Sequence, residues 1–109
     1  MRQPSFALPF QTAGEPEPGL GWDEVDLRSA GKPPFRVARF TVEPGFCSPV
    51  DSHAVHEIWL VLTGTGLLEH AGATVRIGPG QALYLAPPLT HQVRNDGDED
   101  LVIHSIWWE

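Results

Sequence analysis

The 109-residue sequence holds one cysteine, Cys47, so no internal disulfide can brace the fold. Lys and Arg together number seven against fourteen Asp and Glu, and the net charge is −7. The few basic residues are scattered, with no basic stripe, which argues against a nucleic-acid partner. The same scatter argues against an anionic membrane surface as partner. No apolar run reaches membrane-spanning length. The opening "MRQPSFALPFQTAGEPEPG" lacks the apolar stretch of a secretion signal and carries proline and glutamate early. These absences predict a cytoplasmic protein. Long uninterrupted segments are missing too, because eleven glycines and eleven prolines punctuate the whole chain. That leaves no convincing helix.

What is present is enough for a single core: 41% of the residues are apolar. Residues 1–20 read as an N-terminal arm, since "GEPEPG" suits neither a helix nor a central strand. Phe6, Leu8 and Phe10 alternate within it, the pattern of an edge strand on its own sheet or a partner's. Residues 21–109 read as one β domain. Strand signals fall on "GWDEVDL", "FRVARFTV", "HEIWLVLTG", "GLLEH", "ATVRI", "QALYLA", "HQVRN" and "LVIHSIWW". Turns are expected at Glu43–Gly45, Ala71-Gly72 and Gly78–Gly80. Asp96-Gly97 suits a tight hairpin. Eight short strands and no helix give an all-β sandwich or barrel.

One stretch is out of keeping with a core. "DSHAVHE", Asp51 to Glu57, sets two histidines and two carboxylates against the buried-looking run "IWLVL". In an extended chain Asp51, His53, Val55, Glu57, Trp59 and Val61 share one face. His56, Ile58, Leu60 and Leu62 share the other. His91, distant in the chain, opens another strand signal. Carboxylates buried beside imidazoles are costly unless compensated, and a divalent cation accepts both donor types. A hydrogen-bonded patch at a strand end is the plainer reading, and spacing alone leaves both open.

The spacing of these residues resembles that of the cupins. Gly45, five residues, Asp51, one residue, His53, three residues, Glu57, six residues and Gly64 follow the first cupin motif. Gly80, five residues, Ala86-Pro87-Pro88, two residues, His91, three residues and Asn95 follow the second. The resemblance covers about residues 35–108. It implies a double-stranded β-helix of jelly-roll type with a metal inside the barrel. His53, Glu57 and His91 are the implied ligands, with Asp51 as a fourth. The sequence departs from the pattern where Asp51 replaces the first histidine. Asp51 is therefore either a ligand or a proton-transfer group, and a bulge would let His56 take its place. Ala86 and Pro88 also replace the second motif's proline and glycine.

The remaining readings are less specific. Trp59 and Tyr84 are expected to line the barrel interior as substrate-pocket residues. Trp107 and Trp108 must face opposite sides, one inward and one toward a dimer face. Cys47 reads as a small packing residue, or else as a thiol near the pocket mouth. Arg36, Arg39 and Arg76 read as exposed strand charge rather than anion binders.

The expected function is that of a metal-dependent enzyme on a small oxygen-bearing substrate, with Zn, Mn, Fe or Ni as the ion. Isomerase, cyclase, lyase and dioxygenase chemistry stay open, because one fold hosts many. The alternative is a non-catalytic small-molecule-binding or sensor protein with a structural metal. A homodimer is expected from the resemblance.

Overall fold

The structure, a computed structural model, describes residues 6–51 and 54–109. His53, expected as a ligand, lies outside them. Nine strands are seen among the described residues: β1 Phe10–Thr12, β2 Leu20–Val25, β3 Arg36–Val42, β4 His56–Thr63, β5 Gly66–His70, β6 Ala73–Ile77, β7 Ala82–Leu85, β8 His91–Arg94 and β9 Leu101–Trp108. Among the described residues the one helical element is a short 3-10 turn at Arg28–Ala30. No helix among the described residues is long and apolar enough to cross a membrane.

A six-stranded sheet runs β1-β2-β3-β9-β4-β7, and a three-stranded sheet runs β6-β5-β8. Every pairing is antiparallel. The molecule is all-β, with its two antiparallel sheets in a jelly-roll arrangement. The arm supplies β1, the outer strand of the large sheet, paired to β2.

Alternation decides the faces. In β3 the residues Ala38, Phe40 and Val42 are buried, and in β9 so are Leu101, Ile103 and Ser105. With Trp59, Val61, Leu68, Ile77, Leu85 and Val93 their apolar members make one core between the sheets. β4 is central, held between β9 and β7. It turns Glu57, Trp59 and Val61 inward. The rest of "IWLVL" is not core: Leu60 is 37% and Leu62 42% exposed on the outer face.

Turn chemistry fixes the connections. Ala71 and Gly72 both have positive φ, the two-residue pattern of a type I′ hairpin between β5 and β6. The Phe46 amide donates to the Glu43 carbonyl across Pro44-Gly45, as a type II turn requires, with Gly45 at φ 84°. Asp96-Gly97, by contrast, does not close a hairpin. β8 and β9 belong to different sheets, so this segment carries the chain from one to the other. Asn95, fully buried, holds the crossing. Its side-chain nitrogen donates to the Val42 and Glu99 carbonyls, and its Oδ1 accepts from the Gly97 amide.

Candidate metal centre and substrate cavity

Two strands and a neighbouring segment bring the site together. β4 aims Glu57 inward. β8 begins at His91, whose side chain is also buried. The chain before β4 runs antiparallel to β8, and Asp51 and His91 exchange both backbone hydrogen bonds, at 3.0 and 2.8 Å. Residues so paired point to the same side of a sheet. Asp51, Glu57 and His91 accordingly line one cavity. Asp51 is exposed at its wall, whereas Glu57 and His91 are buried.

Glu57 is held by two donors. The Trp59 indole N–H donates to its Oε2 at 2.8 Å, and the Ser105 hydroxyl donates to the same oxygen. Oε1 faces His91, whose Nε2 stands 3.5 Å away. The Trp59 ring meets the His91 ring edge-on at 5.4 Å. This is a carboxylate and an imidazole fixed in orientation by surrounding side chains, an arrangement that tunes metal ligands. Two ligands on one tetrahedral zinc-sized ion lie about 3.4 Å apart, so the Glu57–His91 spacing fits a shared divalent cation. The donor set, nitrogen with carboxylate oxygen, suits the same ions. Among the described residues no group of three or more His, Cys, Asp or Glu is gathered as a complete metal site.

The cavity has a volume of about 800 Å³. One wall is a continuous run of aromatic rings. Trp107 and Trp22 lie 5.9 Å apart, Trp22 stacks on Phe40 at 5.8 Å, and Phe40 meets Trp59 at 5.1 Å. The loop after β1, residues 13–17, forms another part of the wall. Trp59 thus lines the cavity.

Tyr84, expected beside it, is 52% exposed and does not line the cavity. Its partner across the β4–β7 pair is Ile58, so alternation puts it on the outer face with His56. The Tyr84 hydroxyl and His56 Nδ1 are 2.6 Å apart, and Trp108 stacks on His56 at 5.5 Å. His56 thus faces away from Glu57 and is no substitute for Asp51. Trp107 faces the cavity and Trp108 the outside. Cys47 is exposed rather than packed.

Sequence reasoning missed Ser105, Trp22, Phe40 and the 13–17 loop. Ser105 did leave a signal: it is the one polar residue on the inward row Leu101, Ile103, Ser105, Trp107. The loop left none, because it reaches the site only through the β1–β2 pairing.

Residues 38–107 match the Cupin domain family. The chain is a cupin. A cupin 2 conserved barrel domain protein from Salinispora arenicola is 31% identical over 83% of this chain and 76% of its own, with a TM-score of 0.76. A predicted oxalate decarboxylase from Thermotoga maritima superimposes with a TM-score of 0.77 over 99% of this chain and 98% of its own, at 21% identity. The polyketide cyclase RemF from Streptomyces resistomycificus gives 0.76 over 98% of this chain and 78% of its own, at 19% identity. At those identities the last two show the shared fold alone.

Proposed function

We propose that this cupin is a metal-dependent enzyme acting on a small oxygen-bearing molecule within the barrel. The observation that carries the proposal is the buried pair Glu57 and His91, 3.5 Å apart on the wall of a cavity large enough for a substrate. His53, Glu57 and His91 would hold the ion, Zn, Mn, Fe or Ni, with Asp51 as a fourth ligand or as the proton-transfer group. A bound divalent cation supplies Lewis acidity to a carbonyl or enol, to water or to dioxygen. The chain's own residues supply the rest. Trp59 and Ser105 fix Oε2 of Glu57 and leave Oε1 on the His91 side. The aromatic wall lends the cavity a largely apolar side against which a substrate can pack. Asp51, exposed on the cavity wall, is positioned to take and return a proton. Isomerase, cyclase, lyase and dioxygenase reactions all use such a set.

The proposed setting is the cytoplasm, and the proposed assembly is a homodimer, which sedimentation of the purified chain tests. The activity is tested by screening small carbonyl and enol compounds with metal-loaded and chelator-stripped protein. Turnover that needs the metal and is lost in Glu57→Gln and His91→Ala supports the enzyme. Saturable binding of a compound without any product would instead assign a small-molecule-binding or sensor protein.

A further inference from the structure

The cavity is more one-sided in charge than a site for acidic metabolites should be. Its lining includes the acidic residues Glu15, Glu17, Asp51 and Glu57, while Asp23, which also borders it, turns its carboxylate to Arg39 on the outer face. Among the described residues no Lys or Arg lines it. A bound divalent cation would offset only two of these four negative charges. The arginines of β3 and β6 are engaged by the chain's own acids. Arg36 is held by Glu24 at 2.6 Å and lies over the Trp107 ring, Arg39 stands 3.5 Å from Asp23 and over Phe10, and Arg76 is bound by Asp96 at 2.7 Å. Against this acidic lining stands the wall of Trp107, Trp22, Phe40 and Trp59.

We infer that the cavity takes a planar, ring-bearing molecule that is uncharged or cationic, and that it rejects carboxylates and phosphates. The inference rests on the reading of this cavity as the substrate site and names the class of molecule it selects. Aromatic faces stack on flat rings and attract cations through their negative quadrupole. A lining of one sign concentrates counter-charged molecules and repels like-charged ones. An anion buried there would lose its hydration without meeting a guanidinium or ammonium. With Asp51 as a ligand in place of a histidine, two carboxylates at the ion would remove the excess positive charge that otherwise draws an anion. Oxalate, named for the Thermotoga maritima neighbour, is a dianion of the kind this lining disfavours.

The test uses three probes with one ring system and three charges: 2-naphthol, 2-naphthoate and 2-naphthyltrimethylammonium. Each is titrated calorimetrically into the full chain, once stripped by chelator and once loaded with zinc. The expected result is that naphthol and the ammonium bind and naphthoate binds at least about tenfold more weakly. The double variant Glu15→Gln, Glu17→Gln, altered only on an exposed loop, should narrow that gap about threefold. Trp22→Ala should weaken the ring probes about tenfold. Naphthoate binding as tightly as naphthol, or no binding by any probe, overturns the inference. The stripped protein separates this outcome from the metal proposal: loss of metal binding leaves the probe order in place, and a reversed probe order leaves metal binding intact.

Discussion

Ser105 and His104 are chain neighbours on β9, yet they face opposite ways and answer to different physics. Ser105 is fully buried and donates its hydroxyl to Glu57 Oε2. Ser105→Ala removes one of the two donors on a buried acidic group. The expected loss is about 1–3 kcal/mol of stability, read by urea unfolding. The same change should weaken divalent-metal affinity about tenfold, because Glu57 is then less firmly oriented. His104 lies on the outer side, paired across strands with Arg39 and Leu60 and tilted against Phe10. Burial, and then the positive charge of Arg39, push its pKa below the ordinary histidine value. The folded chain therefore resists a proton that the unfolded chain accepts. His104 costs nothing above about pH 6.5, and stability falls as the pH drops below that toward its lowered pKa. Melting temperature followed from pH 7.5 to 5 should decline less steeply in His104→Gln than in the parent.

At the scale of elements, glycine positions separate a strained connection from an open one. Gly64 ends β4 with φ 78°, and a Cβ there would stand 2.4 Å from the Asp100 carbonyl oxygen and 2.8 Å from the Leu101 Cα. Gly72 has the same φ of 78° in the β5–β6 hairpin, but a Cβ there would meet nothing within 4 Å. Gly72→Ala should cost only the left-handed backbone strain, about 1 kcal/mol. Gly64→Ala must also push back the start of β9, and should cost about 3 kcal/mol or more. Denaturant unfolding of the two variants side by side measures the difference. β3, β8 and β9 were the most legible strands because buried and less buried residues alternate along them. Their pairing was less so. Asp96-Gly97 carries the local chemistry of a hairpin, and only the partners of β8 and β9 reveal a crossing between sheets. Tyr84 was misassigned for a related reason: its face depends on its register against Ile58, which its own strand does not encode.

Over the whole molecule, the barrel makes neighbours of groups that the sequence keeps apart. Asp51, Glu57 and His91 line one cavity. The aromatic wall and the 13–17 loop were not legible, because they depend on how the N-terminal strands fold over the barrel mouth. A small core does not keep a carboxylate and an imidazole buried together without compensation, and we assign part of that compensation to a divalent cation. Elemental analysis of the purified chain, with Glu57→Gln and His91→Ala measured beside it, tests this most directly. The account predicts about one divalent transition-metal ion per chain in the parent, and little or none in either folded variant. Metal-free parent protein that takes up no added ion, or variants that hold as much metal as the parent, would contradict it.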